Sequence, residues 1–151
     1  MTKARDLANF NSSTITDTVV LADGTTSGNT VAISGASFKN ATSVRVGSLV
    51  NFSLWVVNLP VSGLTSGNTL YIRGLEYNLG TNAAMGSIII VGVDLQTNAR
   101  GLVLNGGGVG TNYCRISEQM DDTSEATTDS LTCGDLASNV DIFATLTYKA
   151  Q

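Results

Sequence analysis

A chain of 151 residues with 8 Lys+Arg against 12 Asp+Glu, a net charge of −4 and no histidine fits one domain and leaves several functions out. Without an imidazole there is no Ser-His-Asp or Cys-His catalytic set, and the scattered cations Lys3, Arg5, Lys39, Arg45, Arg73, Arg100, Arg115 and Lys149 form no stripe to neutralise phosphates, so neither catalysis nor nucleic-acid binding is expected. Only 13% of the residues are charged, against about a quarter in an ordinary soluble domain, and so sparse a charge implies that part of the surface faces another subunit.

Residues 1–14 read as a short N-terminal arm whose Leu7 and Phe10 would dock on a neighbour. The opening MTKARDLANF has a basic pair with no apolar stretch behind it, so it does not read as a signal peptide and synthesis in a cytoplasm is expected. No apolar run approaches the roughly 18 residues of a membrane-spanning helix, so no membrane is expected as a partner.

Residues 15–151 read as one β-domain. Short strands, TVVLA at Thr18–Ala22 and Val31–Ile33, flank a first TSGNT at Thr26–Thr30, and a second copy stands at Thr65–Thr69. Both copies are expected to be corners, with Gly28 and Gly67 at positive φ and Asn29 and Asn68 tolerating left-handed backbone. Val44–Val57, VRVGSLVNFSLWVV, has Val44, Val46, Val50, Phe52, Leu54 and Val56 on even positions. That two-residue period predicts one long strand with a buried face, bent or bulged at Gly47-Ser48. Trp55 falls on the opposite face, beside Arg45 and Asn51, and is a candidate docking residue. Asn58–Gly67 reads as a loop holding the only proline, Pro60.

Further on, Thr69–Tyr77 predicts a strand with Tyr71, Arg73, Leu75 and Tyr77 on one side, and Tyr71 and Tyr77 join the docking candidates. Ser87–Leu95, SIIIVGVDL, is apolar on both faces, as suits a strand within a sandwich or against a partner. Leu102–Leu104 and Asn112–Ile116 predict two more strands. The NGGGVG between them lacks the Lys-Ser/Thr and helix of a phosphate loop and reads as a hairpin loop. Val140–Lys149 alternates Ile142, Ala144, Leu146 and Tyr148 against Phe143, Thr145 and Thr147. Some eight strands with polar turns and no helical period predict an all-β fold, an antiparallel jelly-roll-like β-sandwich.

Cys114 and Cys133 either bridge the ends of an acidic loop, a closure worth about 3 kcal/mol, or stay buried free thiols. Two cysteines without histidine make no metal cage, so no metal, cofactor or catalytic residue is expected. Glu118–Asp135 holds six of the twelve acids and reads as a solvated excursion, with Asp121, Asp122 and Glu125 as the alternative cation ligands.

Three stretches carry a resemblance. VRVGSLVNFSLWV, SGNTLYIRGLEY and the closing ATLTYKA resemble small β-rich modules of tailed-bacteriophage virions, and TKARDLANF is similar to the N-termini of phage fibre proteins. The matching positions are Val46, Gly47, Val50 and Phe52, then Leu70, Tyr71, Ile72, Gly74 and Leu75, then Tyr148. The resemblance implies a homotrimeric virion protein made in the host cytoplasm. Its partners would be its own copies and the major capsid protein or another virion protein. Of the two virion roles, capsid decoration (cement) suits a single β-domain with a short arm. The alternative is a tail-fibre tip that binds host cell-surface glycan; such tips carry Pro-Phe where this chain has Glu76-Tyr77.

Overall fold

The computed structural model describes residues 11–14, 19–81, 84–121 and 128–151. Among the described residues eleven strands run in chain order: β1 (Asn11–Thr14), β2 (Val20–Ala22), β3 (Thr30–Ala32), β4 (Phe38–Val46), β5 (Leu49–Pro60), β6 (Tyr71–Arg73), β7 (Met85–Val93), β8 (Ala99–Gly106), β9 (Tyr113–Met120), β10 (Thr128–Ser130) and β11 (Leu136–Lys149). All pairings are antiparallel, in the order β1-β4-β5-β11-β7-β8-β9-β6-β2-β3, with β10 on the edge of β9. This one sheet curls over so that both halves supply a single core, and the all-β, sandwich-like expectation is met. Phe52, Leu54, Ile142 and Ile90 come from one half, and Leu104, Ile116, Ile72 and Leu21 from the other. The predicted arm residues Leu7 and Phe10 lie outside the described residues, while Asn11–Thr14 pair with β4.

The C-terminal strand behaves as its alternation predicts. Val140, Ile142, Ala144, Leu146 and Tyr148 point into the core, and Phe143, Thr145, Thr147 and Lys149 point out. Because β11 lies between β5 and β7, both edges are paired and its inner face is covered from Val140 to Tyr148.

The long strand predicted at Val44–Val57 is instead a hairpin. Gly47 and Ser48 form a two-residue turn between Val46 and Leu49, with Gly47 at φ 60°. Such a turn pairs residue 46 with residue 49 and so reverses parity: even residues point inward on β5 and odd ones on β4. Val50, Phe52, Leu54 and Val56 are buried as expected, but Val44 and Val46 face outward, and Ala41 and Ser43 take the inner positions. Arg45 therefore sits on the side opposite Trp55, with its guanidinium 5.0 Å over the Tyr77 ring.

The loop predicted from Asn58 begins later, because β5 continues to Pro60. Val57 and Asn58 oppose the single residue Asp141, a bulge. Asn58 takes φ 55°, the only positive φ outside glycine among the described residues, and its N–H donates to Asp141 Oδ1 at 2.7 Å. The strand predicted at Thr69–Tyr77 is also shorter. It ends at Arg73, after which Leu75 turns into the core and Tyr77 accepts a hydrogen bond from Tyr148 Oη on its carbonyl at 2.9 Å.

Candidate binding surfaces

The two TSGNT copies meet at one carboxylate. Asp23, only 6% exposed, accepts from the Asn29 N–H at 2.6 Å and the Asn29 side-chain amide at 2.9 Å. It also accepts from the Thr65 N–H at 2.9 Å, which ties the first copy to the second. The Thr65 amide, followed by the Asn29 side chain, lowers its pKa from 3.8 to about 2. Gly28 has the expected positive φ, 101°, and a Cβ there would come within 2.3 Å of Asp23 Oδ1. The expectation fails at Gly67, Asn29 and Asn68, none of which has positive φ. The copies are thus two sides of one latch, and the second is held by hydrogen bonds that the Cys133 and Gly134 N–H groups donate to the carbonyls of Asn68 and Ser66.

Neither cysteine is placed for chemistry. Both are free, buried thiols; burial pushes Cys114 up to about 12, and burial with the Asp23 and Asp135 charges pushes Cys133 up to about 11. A nucleophilic thiol needs the opposite shift.

The acidic stretch is a solvated excursion only in part where it is described: Asp121 and Asp129 are exposed, Asp135 is part-buried and Glu118 is covered. Glu118 is 1% exposed within β9, with Oε1 accepting the Gln96 N–H at 3.0 Å and Oε2 without a partner. Asp121 pairs with Arg100, and Asp135 caps the Cys133–Asp135 turn through Thr132. Among the described residues no three acids or cysteines group as a metal site. Asp122 and Glu125 lie outside those residues.

Two outer surfaces remain. On the first, the registers of β4, β5, β11 and β7 align Asn40, Trp55, Phe143 and Ile89 in one row across the sheet. The next row is Thr42, Ser53, Thr145 and Ser87, and the one after it Val44, Asn51, Thr147 and Met85. No residue of the three rows is charged. Phe38 and Trp55 have ring centroids 4.8 Å apart, and Trp55 and Phe143 5.9 Å. A shallow depression of about 370 Å³ lies between the aromatic and hydroxyl rows. Trp55 is 49% exposed, Ile89 63% and Val91 56%, whereas the inward Ile88 and Ile90 are buried. The double-sided apolarity of SIIIVGV thus splits into a core face and an open face.

On the second surface, β6 and β9 place Tyr71 opposite Arg115 and Arg73 opposite Tyr113. The tyrosines meet on the diagonal edge to face, centroids 5.6 Å apart. Tyr113 lies over Gly107, where a Cβ would meet its ring at 2.2 Å, so only glycine permits this ring position. Arg73 Nη1 reaches the Gly24 and Ser27 carbonyls at 3.3 and 3.4 Å, while Arg115 makes no hydrogen bond or ion pair within the described residues. A hollow of about 290 Å³ opens between Arg115, Tyr71, Tyr113, Asn105 and the rim residue Thr25.

The three docking aromatics among the described residues therefore part company: Trp55 on the apolar face, Tyr71 in the hollow, Tyr77 under Arg45 at the rim of the core. Phe38, Phe143 and Ile89 complete the first surface and Arg115 and Asn105 the second; only cross-strand register groups them. Among the described residues no helix is long and apolar enough to cross a membrane. Comparison with protein-family models, with curated proteins and with solved structures finds no match to this chain.

Proposed function

We propose that the chain is a non-catalytic structural component of a bacteriophage particle, a capsid-decoration protein that works as a homotrimer. In this reading each copy lays its β4–β5–β11–β7 face against the next. The observation that carries the reading is that face: Trp55, Phe143 and Ile89 in one row, Trp55 and Ile89 exposed and Phe143 part-buried, with no charge in it or in the two rows that follow it toward Met85, while Asp141 stands in the row on its other side. Copies that each carry −4 repel one another, so contact between them is least costly where the surface has no charge and most favourable where it is apolar. A charged partner would find no complement there, whereas a second copy meets the same neutral mix of aromatics and hydroxyls. The virion setting and the trimer come from the resemblance of the strand motifs, which the low charge and open apolar face support.

Sedimentation of the purified chain tests the assembly, with a trimer expected. Ile89→Asp should leave the circular dichroism spectrum intact and release monomers. Added to undecorated phage heads, the trimer should raise the temperature at which they release DNA, and the Ile89→Asp protein should not. A chain that stays monomeric at every concentration and leaves heads no more stable would end this reading.

A further inference from the structure

Arginine side chains in an acidic protein ordinarily find a carboxylate, and Arg115 has none among the described residues. It stands in the hollow beside Tyr71, with neither hydrogen bond nor ion pair to any described residue. Among the described residues the Tyr71 and Thr25 hydroxyls on the same walls have no hydrogen-bond partner either. Asn105 gives its amide N–H to Ser117 Oγ at 3.0 Å and keeps its Oδ1 as an acceptor. A cationic fork, two hydroxyls and an amide oxygen thus surround one concavity beside an edge-to-face tyrosine pair.

We propose that this hollow binds a carboxylate-bearing sugar residue of an acidic glycan, a function separate from the assembly face on the other half of the sheet. The guanidinium presents paired N–H groups that match a carboxylate in bidentate fashion. Ring hydroxyls of the sugar find the Thr25, Tyr71 and Asn105 oxygens, and its C–H face lies against the tyrosines. The volume, about 290 Å³, suits one sugar ring at the small end of ligand pockets. Nucleic acid fits less well, because it needs several cations in line and only Arg73 stands beside Arg115, in a chain of net −4. An extended peptide would seek an unpaired strand edge, and β9 here is paired on both sides, to β8 and to β6.

The test is calorimetric titration of the full chain with trigalacturonate, its neutral galactose counterpart and inorganic phosphate. Trigalacturonate should bind saturably and at least about tenfold more tightly than either of the others. Arg115→Ala and Arg115→Gln, both checked for an unchanged circular dichroism spectrum, should lose that binding, and Arg115→Lys should keep part of it. Arg100→Ala, which removes a cation that pairs with Asp121 and does not line the hollow, should bind as the parent does. Equal affinity for the neutral sugar, phosphate binding as tight as that of the acidic sugar, no saturable binding at all, or full binding by folded Arg115→Ala would each overturn the proposal.

Discussion

The β4–β5–β11–β7 and β8–β9–β6–β2 halves of the sheet turn the same aliphatic chemistry inward and opposite chemistries outward. One outer face has three successive uncharged rows, with Trp55, Phe143 and Ile89 in line across strands beside a row of hydroxyls; the other sets Tyr71, Tyr113, Arg73 and Arg115 in a two-by-two array, with a hollow beside Arg115. Because the inner faces share one core, the halves stand or fall together, and their difference belongs to what each face meets. The outer side chains can therefore be changed with small cost to the fold, while the inner ones cannot.

The largest effect should come from breaking what the halves share. Phe52→Ala, at a fully buried position of β5, should cost about 3–5 kcal/mol and melt both halves in one transition. Denaturant unfolding followed by tyrosine and tryptophan signals together would check this; separate midpoints would mean the halves are independent.

Next comes the latch, which sits wholly on the second half. With its folded pKa lowered to about 2, Asp23 supplies stability that is fully present above its ordinary value of 3.8 and lost as the pH falls toward 2. Asp23→Asn should melt lower than the parent near neutral pH, and the gap should narrow as the pH drops through that window. Melting temperatures of both proteins from pH 6 to pH 2 measure it, and a gap that widened on acidification would contradict the latch.

The first half offers a smaller signal. Trp55 is the only tryptophan and is half exposed, so its emission should shift to the blue as copies assemble with rising concentration. Ile89→Asp should abolish the shift while changing the stability of the isolated fold by about 0.5 kcal/mol or less. Smallest of all, the buried thiols should resist an aromatic disulfide reagent at pH 8 in the native protein. Cys114, with its pKa near 12, should react more slowly than Cys133, and both should react fast in denaturant.

How much of this was readable in sequence depended on strand length and on parity. The alternation at Ile142–Tyr148 predicts β11 because both its neighbours are strands and its inner face is covered over that stretch. The same rule misleads at Val44 and Val46, whose even spacing runs through a two-residue turn that reverses which face is inside. Strands of three residues, such as β3 and β6, are too short to show a period. The TSGNT copies were visible as repeats, but their meeting at Asp23 depends on a contact between residues 42 positions apart. The hollow was less visible still: Tyr71 and Arg73 meet Tyr113 and Arg115 only through pairing of β6 with β9. Glu118 looked like one acid in an acidic run, and only the sheet shows it as a covered side chain.

The place of β11 bears on the order in which the molecule can be made. It fills the gap between β5 and β7 yet follows both in the chain, so during synthesis those strands wait with bare hydrogen-bonding edges until residues 136–149 emerge. A nascent chain halted before Leu136 would carry two open, apolar edges side by side. That is the species a chaperone would have to shield, or a neighbouring nascent copy would capture.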